Sequence, residues 1–315
     1  MNRCWMVRNI KWPLNKKFAF TIIDDTDNSN VDNVKPIYEY LISKNLKSTK
    51  TVWVYPSRNT FKGQTIQDID YLEFLRRIEH EGFEIQLHNV GSGIFKRQEI
   101  IQGLKIFNET FDRYPTLHIN HSSNPDNIYW GYKRYVTILR FLVKLFKGKT
   151  RRFYGDEIES DYFWGDLAKK HIKFIRNRVF NGINTLNYDP QMPFIENNKK
   201  YSNYWFSSSD GHTVEEFNNL IVRGNIDKLI AENGLCIVYT HFSLGFLEQN
   251  GEINRTFNEN INYLSSQNGW FAPATEILDY LLKIKSTNTV NPFYINLLDL
   301  KWLIQRIWKK LKYGR

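Results

Sequence analysis

The chain has 315 residues, of which 42% are hydrophobic, 24% charged and 16% aromatic, enough to build a sizeable core and to exclude a disordered chain. Its formal net charge is +10, but residues 132–152 carry eight Lys or Arg and no acid, and residues 291–315 carry six against Asp299 alone. The remaining body is mildly acidic, which argues against a nucleic-acid groove across it.

Residues 1–18 lack the continuous apolar core of a secretory signal, because Arg3, Arg8, Asn9, Lys11 and Pro13 interrupt it. No apolar run approaches the ~20 residues that span a bilayer, so a cytoplasmic location is expected. Residues 18–23 read as a buried strand that ends in Asp24 and Asp25. A helix is expected over 31–43, a strand over 51–55, and a helix over 66–80 with Ile69, Leu72, Leu75 and Ile78 as its apolar positions. Strand 83–88, helix 98–111 and strand 116–120 continue the alternation, the signature of a parallel sheet covered by helices. Residues 129–146 read as a basic helical insertion. Strands over 172–176 and 204–208, helices over 213–222 and 226–232, a strong strand over 235–241 and helices over 258–266 and 273–284 follow. Cys4 and Cys236 lie far apart, and Cys236 falls inside a buried strand, so neither a disulfide framework nor a cysteine-built zinc site is expected.

The fold class is therefore α/β, a (β/α) barrel in one domain over 1–285 with an insertion at about 126–150 and a basic amphipathic tail over 286–315. Functional side chains of such barrels gather at the C-terminal ends of the strands. Asp24, Asp25, His88, His121 and His241 all fall there. One carboxylate with imidazoles is a catalytic Zn²⁺ ligand set that keeps a position open, and leftover carboxylate and histidine can serve as base and acid. The same residues have plainer readings: DDTDNSN is rich in capping and turn residues, and the histidines could be hydrogen-bonded core residues. His80, His171 and His212 read as surface or loop residues, and Asp210 as a substrate contact or a helix cap.

The segment FAFTIIDDTD resembles the first motif of the polysaccharide deacetylases, the NodB-homology or carbohydrate esterase family 4 domain, in which a strand ends in two aspartates. EGFEIQLHNVGS is similar to the second motif, GLCIVYTHFSLG to the last, and FAPATEILDYL to the helix after it. The resemblance covers most of 17–284 and implies a distorted seven-stranded barrel of the deacetylase type. It further implies Asp24 as general base, Asp25 and His88 as ligands of a divalent metal, zinc foremost, and His241 as general acid. Two departures stand out. Ser92 occupies the place of the family's second metal-binding histidine, and HINHSSNPDN replaces the arginine-proline motif. Adjacent strand ends ~4.8 Å apart can address one point, so His121 is expected as third ligand, with His118 as runner-up.

The implied activity is metal-dependent removal of an acetyl group from an N-acetylated sugar or glycan intermediate. The alternative is a degenerate barrel that binds carbohydrate or a partner without hydrolysis. Leu297, Leu300, Ile304, Ile307, Trp308 and Leu311 recur at helical spacing among Lys301, Arg306, Lys309, Lys310 and Lys312, so peripheral association with an anionic membrane is a further expectation.

Overall fold

The computed structural model describes residues 10–135, 139–141 and 152–313. Seven parallel strands close into a barrel: β1 (Phe18–Asp24), β2 (Thr49–Val52), β3 (Glu84–Leu87), β4 (Leu117–His118), β5 (Phe174–Phe180), β6 (Tyr204–Asp210) and β7 (Leu235–Thr240). The ring closes because β1 pairs with β7 along its whole length and with β2 at its C-terminal end, Ile23 opposite Thr49 and Asp24 opposite Lys50. An eighth strand, β8 (Gly269–Phe271), pairs with the opposite end of β1, from Phe18 to Phe20. Thus β1 leans away from β2 at its start, and that gap is where the barrel departs from a regular cylinder. The expected seven-stranded architecture is present, and β8 adds to it.

Helices cover the outside: α1 (Val31–Ser43), α2 (Ile69–His80) and α3 (Arg97–Phe111) follow the first three strands. In α1, Asn30 and Asn33 cap reciprocally, each side-chain oxygen accepting from the other's backbone N–H at 2.9 Å. The α2 face differs from the expected one. Tyr71, Phe74, Leu75 and Ile78 are buried, whereas Ile69 is 77% exposed. A strict three-residue step drifts around a helix of 3.6 residues per turn, so the expected row could not stay on one face. After β4 come α4 (Gly165–His171), α5 (Thr185–Tyr188), α6 (Val214–Leu220), α7 (Arg223–Ala231), α8 (Arg255–Ser265) and α9 (Ala274–Ile284). Of the expected helix over 129–146, residues 136–138 and 142–146 lie outside the described residues; just before them Gly131–Arg134 forms a turn of 3-10 helix.

The C-terminal segment forms α10 (Pro292–Tyr313), which packs along β5. Ile295, Leu298, Asp299 and Trp302 are buried on that side. Asp299 accepts from Arg178 of β5 at 2.7 Å, both side chains being only 1% exposed. None of the helices of the described residues is long and apolar enough to cross a membrane.

Candidate metal and acid-base site

Successive residues of a strand point to opposite faces, and the end of β1 uses this to separate its adjacent carboxylates. Asp24 turns outward to the helix layer, where Lys50 Nζ lies 2.7 Å away, Tyr38 of α1 donates at 3.2 Å and the Phe242 N–H at 2.9 Å. Burial opposes the Lys50 charge, but Asp24 beside it outweighs that and raises the lysine pKa. Asp25 points the other way, into a cavity at the C-terminal mouth of the barrel.

Arg176 Nη1 and Nη2 donate to the two Asp25 oxygens at 3.1 and 2.5 Å. Burial alone would raise the Asp25 pKa, but Arg176, His88 and His241 together bring it below the ordinary value, so it stays ionised. The pairing with β6 slips between Arg176, opposite Phe206, and Arg178, opposite Ser207, leaving Asn177 as an extra residue. Such a bulge re-aims side chains. Arg176 thereby reaches the mouth while Arg178, two residues on, reaches α10.

Asp27, in the loop after β1, sits among three imidazoles. Its Oδ1 lies 3.5 Å from His88 Nε2 and 3.3 Å from His121 Nε2, and its Oδ2 lies 3.2 Å from His241 Nε2. Burial would raise its pKa, yet the neighbouring imidazoles of His121, His241 and His88 hold it well below the usual carboxylate range. Asp27 Oδ1 is buried without a hydrogen-bond partner. Bonds of ~2.0–2.2 Å to a tetrahedral Zn²⁺ place ligand atoms about 3.3–3.6 Å apart. The Asp27–His88 and Asp27–His121 separations match that edge, so the donor set fits a divalent metal. Among the described residues these three form a group whose ligand atoms lie within 4.8 Å of one another.

The loop after β4 orients His121. Asn124 Nδ2 donates to the Gly91 carbonyl at 2.7 Å, and its Oδ1 accepts from the Gly93 N–H at 2.8 Å, which fixes the amide's orientation. That same Oδ1 lies 3.1 Å from His121 Nδ1, so Nδ1 carries the proton and Nε2 presents its lone pair to Asp27's neighbourhood. Asn89 accepts from the His121 N–H at 2.6 Å, and Asn127 donates to the His121 carbonyl. Ser92 Oγ lies 3.5 Å from His121 Nε2. An imidazole from the loop after the fourth strand therefore stands beside Ser92. Burial lowers the His88 pKa, which favours the neutral, metal-ligating imidazole.

His241 behaves oppositely. Burial lowers its pKa, but the hydrogen bond to Asp27 and the charges of Asp25, Asp27 and Asp24 raise it overall. Its Nδ1 lies 3.3 Å from the His212 carbonyl, and the two rings meet edge to face at 4.5 Å. His212, expected as a surface or loop residue, lines the same cavity, where burial and His241 lower its pKa to about 4.

Asp25, Asp27, His88 and His241 line one cavity of ≈ 540 Å³, and His121 reaches it through Asp27. Asp24 does not join them. His118 stays in the core, its Nε2 3.3 Å from Asn120 Oδ1 and its ring 5.0 Å from Trp164. Asp210 pairs with Lys309 of α10 at 2.8 Å. Sequence reasoning missed Asp27, taken with the capping-rich DDTDNSN, and Arg176, whose position at the end of an expected strand was its only signal.

The fold is similar to that of a family 4 acetyl xylan esterase from Clostridium thermocellum in complex with a cobalt ion, at 13% identity, covering 85% of this chain and 92% of that one, with a TM-score of 0.41. It is similar to the peptidoglycan deacetylase PdaC from Bacillus subtilis, at 13% identity over 84% and 92% of the two chains, TM-score 0.39. A candidate polysaccharide deacetylase involved in O-antigen biosynthesis, from Bordetella bronchiseptica, matches at 11% identity over 93% and 95%, TM-score 0.39. No family model and no curated protein matches the chain.

Proposed function

We propose that this barrel is a metal-dependent hydrolase that removes the acetyl group of an N-acetylated sugar. The observation that carries the reading is the Asp27–His88–His121 group, with Asp27 Oδ1 3.5 and 3.3 Å from the two imidazole nitrogens and Asp25 and His241 in the same cavity. It draws further support from the sequence motifs at the ends of β1, β3 and β7. Asp27, His88 and His121 would hold the metal, so the metal-binding aspartate is two positions beyond Asp25, the residue expected to bind it. When bound, the metal supplies Lewis acidity, polarising the acetyl carbonyl and making an attacking water more acidic.

The chain's own groups do the rest. Asp25, ionised and held by Arg176, accepts the proton of the water as its oxygen adds to the carbonyl carbon. His241, whose pKa is raised, donates a proton to the departing nitrogen as the C–N bond breaks, giving acetate and a free amine. His212 positions His241 through its backbone carbonyl.

The test is elemental analysis of the purified protein together with acetate release from N-acetylated saccharides. About one equivalent of divalent metal per chain is expected, with activity lost on chelation and restored by Zn²⁺ or another divalent ion. Metal bound without acetate release from any N-acetylated sugar would favour the binding-only reading. Failure to bind metal under zinc-replete conditions would refute the assignment of Asp27, His88 and His121.

A further inference from the structure

Among the described residues, buried cations come with carboxylates. Lys50, Lys133, Arg176, Arg178 and Lys199 each have one within 2.9 Å. That is the ordinary rule for charges removed from water. Arg134 breaks it. It is 9% exposed and lines the cavity, with its guanidinium 3.5 Å from the Trp130 ring centroid and 4.8 Å from that of Trp302. Nε and Nη2 donate to Asn177 Oδ1 at 3.1 Å and to its carbonyl at 2.7 Å, but no carboxylate of the described residues pairs with it. Asp299, the acid nearest in charge, is committed to Arg178.

A second arginine, Arg306 of α10, lines the same cavity, and its charge opposes that of Arg134. Residues 136–138 and 142–151, outside the described set, contain no Asp or Glu and add only Lys and Arg. Burial first, and then the Arg178 and Arg306 charges, lower the Arg134 pKa to about 9.

We propose that the part of the cavity lined by Arg134 and Arg306 is an anion subsite, in which Arg134 receives a phosphate or carboxylate of the substrate. Resting on the deacetylase reading, this narrows the substrate class to an N-acetylated sugar that carries an anionic group. Arg134 lines the cavity, and a planar carboxylate or a phosphate bound there can take charge-assisted hydrogen bonds from its guanidinium.

The experiment compares N-acetylglucosamine 1-phosphate, N-acetylmuramic acid and the neutral methyl glycoside of N-acetylglucosamine, by acetate release and by direct binding followed through tryptophan fluorescence. One anionic sugar is expected to exceed the neutral one by ~10- to 100-fold in kcat/KM, the scale of hydrogen bonds to charged groups. Which of the two does so identifies phosphate or carboxylate. In Arg134→Gln that ratio should collapse through KM, whereas Arg134→Lys, which keeps the charge, should retain some of it; thermal melting checks that both variants fold. Equal binding of neutral and anionic sugars by the wild type, or an unchanged ratio in Arg134→Gln, overturns the subsite. Because binding is read separately, anion-selective binding without acetate release would leave the subsite standing and remove the hydrolase reading.

A different set of residues carries a second proposal. Phe293, Leu297, Leu300, Ile304, Ile307 and Leu311 follow one another in steps of four and three along α10, and all are at least 43% exposed, on the side opposite Ile295, Leu298 and Trp302. Lys301 and Lys310 are exposed on the two flanks of this stripe. Pairing of two copies through the stripe would bring those lysines together, whereas anionic lipid complements them. The geometry points to an anionic bilayer surface as the occupant, the stripe lying among the headgroups. Co-sedimentation with phosphatidylcholine vesicles should require added phosphatidylserine and weaken with salt. It should be lost in Leu300→Ser/Ile304→Ser, whose exposed positions leave the barrel intact. Equal sedimentation of wild type and variant, or a stripe-dependent dimer without vesicle binding, overturns it.

Discussion

Asp25→Asn is expected to slow acetate release by ~10²–10⁴-fold, the usual worth of a general base, with bound metal unchanged. The two neighbouring aspartates should answer differently. Asp27→Asn should lose the metal, because Asp27 Oδ1 is the carboxylate atom facing His88 and His121. Asp24→Asn should leave Lys50 fully buried without its counter-charge, a loss of ~3–5 kcal/mol of stability, since Lys50 and Asp24 are both 0% exposed. Metal content, kcat and a urea midpoint measured on the three variants separate base, ligand and structural ion pair. Retention of metal by Asp27→Asn, or its loss in Asp25→Asn, would exchange the two roles.

Asp299→Ala is expected to destabilise the protein by ~3–5 kcal/mol, because it strands Arg178 at 1% exposure with only Glu196, 3.7 Å away and already paired with Lys199 at 2.9 Å. The loss should appear in chemical denaturation. Replacing both partners by apolar residues, as in Arg178→Met/Asp299→Leu, should recover most of it, because no buried charge then remains unpaired. If the single variant melts like the wild type, α10 is not anchored by this pair. The same anchoring is why point substitutions, and not deletion of α10, are the appropriate probes of its exposed stripe and of Arg306.

The order of strands and helices was legible in the sequence because each strand is a short apolar run and each covering helix has its own apolar face. The burial of all seven residues of β1 is the consequence. The gathering of polar side chains at the strand ends was legible for the same reason, since in a closed parallel barrel those ends open onto a shared cavity. His88, His121 and His241 were found this way. Within β1 the parity was also present in the letters: Thr21 and Asp25 share one face, and Phe18, Phe20, Ile22 and Asp24 the other. A second strand has to stand beside the first before that parity acquires a direction. Lys50 opposite Asp24 supplies it and claims the outward carboxylate.

What only the tertiary structure decided are the contacts between residues far apart in the chain. Arg176 meets Asp25 across 151 residues, and a one-residue bulge at Asn177 is what sends Arg176 inward and Arg178 to α10. Local spacing does not encode such a slip, because the pairing with β6 creates it. His121 comes to Ser92 only because Asn89 and Asn124 tie the two loops together. The tail reads as a basic amphipathic helix in either case. That one side of it would close over Arg178 and wall the cavity, leaving the other apolar side exposed, depends on where the buried charges of the barrel find their partners.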